Sequence, residues 1–286
     1  MSDFNLIKID GKPLEKLIDT IQKGCGFMVN HFFEADAKKI RRMGNAKIEV
    51  EMKKIIEQAE AESQLPAIML RAQTRERAQS LKKQQSIEAV IDLSQDELKG
   101  QNVSDDPVDE DWATRFFDFA QDIGNEEMQL VWAKILAGEI KKPKSFSLRT
   151  LEVLRNLSAE EAADFQDAVS IATGDRFIVF EESINELKKY NLDYKKIMKL
   201  RDAQLLLSGN NDYLEWLIKA PMFWGIKTGG FVMLPKTKES KLKLSVLNFS
   251  KAGQEISPLI EVSANNDYLV HLQETITKKG FKIAGK

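Results

Sequence analysis

Cysteine is almost absent from this sequence. Cys25 stands alone among 286 residues, which excludes an internal disulfide and leaves no thiolate cluster for zinc or an iron–sulfur centre. Histidine is nearly as scarce: His31 and His271 are the only two. They fall in different expected domains, so neither a histidine triad nor a metal centre is expected, and no cofactor is. Long apolar runs are missing too. Residues 222–226 and 230–234 are typical of the apolar stretches present, far short of the roughly 20 residues of a spanning helix, so no transmembrane segment is expected. Membrane-surface contact is not expected either, because the apolar patch at 24–29 with His31, Phe32 and Phe33 reads as a buried helix. The start MSDFNLIKIDGK lacks a basic stretch followed by an apolar core, which argues against secretion and makes the cytoplasm the expected location. A formal net charge of -2 gives no global attraction to nucleic acid.

What is present is enough apolar material, 43% of the residues, for more than one core at this length. Leu14, Leu17, Ile18 and Ile21 share one helical face, which makes 1–33 an N-terminal amphipathic helix ending near Gly24. Residues 34–94 read as a long, charge-rich helical arm or hairpin. Its first seam is Ile48, Met52, Ile55 and Ala59, and its second Met69, Ala72, Leu81, Ile87 and Ile91, with a break around 63–66 at Pro66. Seams this thin suit one partner helix, which points to self-association. Residues 95–111 form an acidic linker with Asp105, Asp106, Asp109, Glu110 and Asp111.

Residues 112–207 read as a central helical bundle. Trp112, Phe116, Phe117 and Ala120 make one face, and Met128, Val131, Trp132, Ile135 and Leu136 the next. Ser147 caps a third helix. Ser158 with Glu161 spells a capping box ahead of a fourth, and Ser183 with Glu186 repeats it after a short strand at 177–180. Beyond, 208–286 changes period, with strands expected at 222–226, 231–234, 242–249 and 281–283 and helices after Ser250 and at 267–277. The expected fold is therefore mainly α: a long N-terminal helical arm, a central helical bundle and a small C-terminal α+β, winged-helix-like module.

Chemistry-bearing motifs are few. Gly24-x-Gly26 has Val29 where a dinucleotide fingerprint needs its third glycine, and residues 225–229 lack the Gly-Lys-Ser/Thr order of a phosphate loop. Asp175 with Glu186-Leu187-Lys188 matches the metal-nuclease pattern formally, yet the capping box puts Glu186 and Lys188 in a helix. The basic residues Lys38, Lys39, Arg41, Arg42 and Lys47, and Arg71, Arg75 and Arg77 on the second arm, are candidate contacts for phosphates or other anions. A charge-paired solvated helix face, with Glu49 four residues before Lys53, is the plainer account of them. Lys236, Lys238, Lys241 and Lys243 have no arginine beside them and read as a solubilising strand edge.

The string Val108-Asp109-Glu110-Asp111-Trp112, then Arg115-Phe116-Phe117, then residues 132–140 (WAKILAGEI) and Pro143 with 145–151 (SFSLRTL), resembles a bacterial family of domains of unknown function. Residues 158–165 and 251–256 extend the likeness over most of the chain. The resemblance transfers no activity and no catalytic residue. It marks Trp112, Arg115, Trp132, Glu139, Ser147 and Arg149 as structural positions of the motif, with the two tryptophans as core anchors and Glu139 and Arg149 as a pair fixing the loop between helices. Residues 132–139 are also similar to helical domains of abortive-infection and other phage-defence proteins, which implies a defence role without a mechanism. The expected function is a non-enzymatic interaction or regulatory protein, a homo-oligomer or partner of another protein through the arm. The alternatives are a nucleic-acid binder using the basic arm and C-terminal module and, behind it, a metal-dependent nuclease.

Overall fold

The structure is a computed structural model and describes residues 10–25, 50, 53–54, 57, 67–209, 213–237, 239–263 and 265–284. Among them the chain divides into two units, one ending at Leu151 and the other beginning at Glu152.

The first unit is helical. α1 (Gly11–Cys25) turns Leu17 and Ile21 inward, both fully buried, and packs on α3 (Glu110–Ala120). Asp109 caps α3 by accepting the Trp112 N–H at 2.9 Å, and Glu110 and Asp111 sit in the first turn, where carboxylates suit the positive helix end. The next helix, α4 (Glu126–Lys141), is capped by Asn125. It carries Trp132, Ile135 and Leu136, all fully buried. Trp112 stacks on Phe116 at 5.1 Å between ring centroids, and Phe116 lies 5.2 Å from Trp132. This aromatic run makes the centre of the unit, with Trp112 4% exposed and Trp132 fully buried.

α2 (Ala67–Leu98) packs along α4. The expected break at 63–66 lies outside the described residues, and the helix runs past the expected end: Gln95 and Leu98 are buried in helix. The acidic connector therefore starts after Leu98. The extension follows from Val90, Ile91, Ser94 and Leu98, which share a buried face; the serine hides the stripe from a hydropathy reading, and its hydroxyl back-bonds to the Val90 carbonyl at 2.6 Å. Of the second seam, Ile91 is buried and Leu81 and Ile87 are half-buried. Leu70, Thr74, Ala78 and Leu81, spaced by four, four and three, are half-buried, while Met69 and Ala72 are exposed. The first seam, Ile48, Met52, Ile55 and Ala59, lies outside the described residues.

α5 (Leu148–Arg155) crosses from one unit to the next in sequence. The four helices expected to share one bundle thus separate: α3 and α4 join α1 and α2, whereas α6 (Ala159–Ser170) belongs with the strands. The Ser158–Glu161 capping box forms as expected. α6 packs on α7 (Tyr194–Asp202), joined by Lys196 and Lys199 reaching Asp164, Asp167 and Glu160.

Among the described residues, six antiparallel strands complete the second unit in two three-stranded sheets. One has β5 (Ser240–Asn248) between β1 (Phe177–Phe180) and β2 (Tyr213–Ile218); the other has β4 (Gly229–Leu234) between β3 (Met222–Ile226) and β6 (Lys282–Ala284). The α-helices α8 (Lys251–Ile256) and α9 (Asn266–Lys278) follow β5, with a 3₁₀ turn at Ser257–Leu259 after α8. Val179, Leu242, Leu244, Val246, Phe231 and Met233 build the core between the sheets, closed by Leu272 and Ile276 of α9. β1 comes from before the expected boundary at 207 and pairs with β5, a long-range pairing that local periodicity does not announce. β2 was not expected at all. The second capping box is also replaced: residues 184–190 form a 3₁₀ helix in which Ser183 accepts the Asn185 N–H, and Glu186 reaches back to the N–H groups of Glu181 and Glu182 instead of Ser183.

Candidate functional site

Two places carry features that packing alone does not use, one in each unit. In the first unit it is the opening half of α2. No side chain from Ala67 to Gln85 is buried, and Ile68 and Met69 are 70% and 54% exposed. Residues 67–83 hold Arg71, Arg75, Arg77, Lys82 and Lys83 against a single acid, Glu76. Arg71 and Arg75 are one turn apart and exposed, as is Arg77; Lys83 faces Asp122 at 3.7 Å. Opposite charge is available on the same unit in the connector and the start of α3. Asp106, Glu110 and Asp111 are exposed, and Lys12 beside Asp105 holds that carboxyl below the usual range. Lys38, Lys39, Arg41, Arg42 and Lys47 lie outside the described residues.

In the second unit a cleft of about 680 Å³ is bounded by residues 173–177, the end of β2 and β3. Its aromatic wall is continuous. Phe177, Trp216 and Trp224 stand 5.7, 6.1 and 5.2 Å apart in their three pairings, tilted at 45, 58 and 73°. Two lining residues keep buried polar atoms without a partner among the described residues: Thr173 Oγ1 and Trp224 Nε1. Charged groups of the lining are largely committed elsewhere. Asp175, at φ 57°, accepts the Ser257 hydroxyl at 2.6 Å, and Lys227 donates to the carbonyls of Ser257 and Ile260 at 2.7 and 2.5 Å. The Arg176 side chain is exposed at the cleft.

The nuclease pattern does not assemble. Asp175 is bound to Ser257, and Glu186 holds the backbone of Glu181 and Glu182 with His271 Nε2 3.5 Å away. Glu186 and Lys188 lie on the 3₁₀ helix rather than a strand. Among the described residues no group of three or more His, Cys, Asp or Glu side chains is placed to hold a metal ion, and no helix is long and apolar enough to cross a membrane.

Several of residues 112–150 meet around the turn after α4. Glu139, 1% exposed, points its carboxylate into the turn after α4 and accepts the N–H of Lys144 at 2.5 Å and of Phe146 at 3.0 Å. Lys144 has a positive φ of 70°, so the turn is tight and its donors converge on one carboxylate. Trp112 Nε1 donates to the Phe146 carbonyl at 2.9 Å, and the ring of Phe146 lies where a Cβ on Gly138 would sit, 2.7 Å away. Ser147 accepts the Thr150 N–H and meets its hydroxyl. Glu139 thus fixes the loop through backbone donors; Arg149, its expected partner, and Arg115 are exposed on their helices.

Sequence reasoning missed Thr173, Trp216, Phe223 and Trp224. The available signal was density: two of four tryptophans fall at 216 and 224, on either side of the unread end of β2. No curated protein and no solved structure matches the chain. The family described as "Protein of unknown function (DUF2806)" matches residues 70–273, from the exposed half of α2 to α9, and the chain belongs to that family.

Proposed function

We propose that this chain is a non-enzymatic interaction protein that self-associates through the first half of α2. The observation that carries this reading is the stretch Ala67–Gln85, whose side chains bury nothing fully and carry five cations against one acid. A helix gains most of its stability from packing an apolar face, so a stretch of five turns with no fully buried side chain is a poor end state. The occupant favoured by charge is a second copy, its exposed Asp106, Glu110 and Asp111 against Arg71 and Arg75 of the first, with Ile68 and Met69 supplying apolar contact. A two-fold pairing makes that contact twice. Light scattering on the full chain is expected to give a dimer at low salt that loosens at high salt, and Arg71→Glu with Arg75→Glu should give monomers. A monomer at every concentration and salt tested would overturn the proposal.

The same cations support a second reading, a nucleic-acid contact, because they are exposed and closely spaced along one helix. It requires affinity for a mixed-sequence duplex or single strand that falls steeply with salt; no binding at low salt removes it. A place in bacterial antiviral defence rests on the resemblance of residues 132–139 alone, and pull-downs from cells with and without phage infection test it.

A further inference from the structure

We propose that the cleft of the second unit binds a flat aromatic acid: a ring held by the aromatic wall and a carboxylate or similar anion directed to Arg176. The proposal is independent of α2 and stands on four observations. First, about 680 Å³ falls within the span of cofactor and small-molecule sites, roughly 300–1,000 Å³. Second, Phe177 and Trp224 are core side chains, 7% and 4% exposed, and Trp216, packed on both and half-buried, presents the open part of the aromatic wall to a ligand.

Third, the rim keeps an aromatic side chain in water without letting it swing free. Phe223 is 70% exposed, yet its ring end lies 2.4 Å from where a Cβ on Gly230 would be. A residue with a side chain at Gly230 could not sit under that ring. Phe223 is therefore seated across the β4 backbone at the cleft edge, with Leu217, 52% exposed, also lining the cleft. An exposed phenylalanine serves solubility poorly, and a held one is preorganised for contact.

Fourth, hydrogen-bonding capacity is left over. Thr173 is 7% and Trp224 4% exposed, and neither Thr173 Oγ1 nor Trp224 Nε1 has a partner among the described residues. A buried donor without an acceptor is costly. The indole N–H can only donate, and a hydroxyl can donate as well, so an acceptor that reaches them once the side chains over them move satisfies both. Around them Asp175 accepts from Ser257 and Lys227 donates to the carbonyls of Ser257 and Ile260; Arg176 and Lys227, both exposed, outweigh the one carboxylate and set the sign of the ligand as negative.

The test uses the full chain and three probes: 2-naphthoate, the neutral 2-naphthalenemethanol, and cyclohexanecarboxylate, which has the acid without the flat ring. Trp216 and Trp224 report binding through their fluorescence, with calorimetry as a second readout. Saturable binding of 2-naphthoate is expected, weakened roughly tenfold in Thr173→Val and in Arg176→Gln, the size of one charge-assisted hydrogen bond. Phe223→Ala, at an exposed position that leaves the core intact, should weaken it by a similar factor, while Lys188→Ala on the 3₁₀ helix should leave it unchanged. Absence of saturable 2-naphthoate binding overturns the proposal, as does equal binding by all three cleft variants. Cyclohexanecarboxylate binding as tightly would refute the aromatic requirement, and 2-naphthalenemethanol binding as tightly would refute the anionic one.

Discussion

The hydroxyl of Tyr268 takes the place of a neighbouring strand at Val179. It accepts the Val179 N–H at 2.9 Å and donates to the carbonyl of the same residue at 2.8 Å. β1 pairs with β5 on its other edge, so these two groups are the ones an edge strand leaves unpaired. Tyr190 packs edge-on against the ring at 5.0 Å, and Tyr268 is fully buried.

Tyr268→Phe keeps the ring and orphans both backbone groups. The expected loss is about 2–4 kcal/mol in urea unfolding of the full chain, since each buried unsatisfied group costs about 1–3 kcal/mol. Burial pushes the Tyr268 hydroxyl well above the ordinary tyrosine range. Its folded pKa being raised, its contribution is complete below the unfolded value near pH 10 and is lost as pH rises past it. Stability of the parent chain should therefore fall above about pH 10 more steeply than that of Tyr268→Phe. Equal slopes would show that Tyr268 plays no part in the alkaline transition.

Glu139 gives a second prediction. Removing its carboxylate in Glu139→Ala leaves the N–H groups of Lys144 and Phe146 without their acceptor in the turn that also receives Trp112 Nε1. About 2–4 kcal/mol of stability should go, while Glu139→Gln, which keeps one acceptor oxygen, should lose roughly half as much. Arg149→Ala should change stability by less than about 0.5 kcal/mol, as an exposed residue does. A loss on Arg149→Ala matching that of Glu139→Ala would restore the expected Glu139–Arg149 pair.

These two residues show how much of the fold the sequence declared. Glu139 stood in a recognisable string, and the helices on either side, the cap at Ser158 and the tryptophan core were readable because each depends on residues within one or two turns of helix. What Glu139 does was not readable, because its ligands are backbone N–H groups that carry no side-chain signature. Tyr268 was more hidden still: its partner is 89 residues away. The same holds for β1 with β5, and for the cleft, whose three walls come from residues 173–177, β2 and β3. Polar members defeat a hydropathy reading elsewhere, as Ser94 and Thr74 do on the inner face of α2.

Cys25 should be a poor nucleophile in the folded chain. Burial first, and then the negative charge of Asp118, push its thiol up to about 12 from a model-compound value of 9.0. At pH 8 the thiolate population is thereby roughly a thousandfold below that of a free thiol, because each unit is tenfold. Reaction with a disulfide reagent should be slow in buffer and fast in concentrated urea. Comparable rates in the two conditions would mean that the end of α1 leaves the thiol open.

The lysine pair between α6 and α7 gives the last prediction. Asp164, 5% exposed, accepts from Lys199 at 2.6 Å and lies 3.4 Å from Lys196. Each lysine also has a second acid: Lys196 is 2.6 Å from Asp167, and Lys199 is 2.5 Å from Glu160. Either lysine alone can keep Asp164 compensated, so Lys196→Met and Lys199→Met should each lose only about 1 kcal/mol, in the range of partly exposed pairs. Removing both strands a buried carboxylate, for which about 3–5 kcal/mol is the usual loss when a buried ion loses its partner. The double variant should therefore be less stable than the two single losses added together, a coupling that denaturant unfolding of all four proteins measures directly. Strict additivity would mean that Asp164 reaches solvent when its lysines leave. In that case a further change, Asp164→Asn in the double variant, should recover nothing; if the carboxylate is stranded, the same change should return roughly half of what was lost.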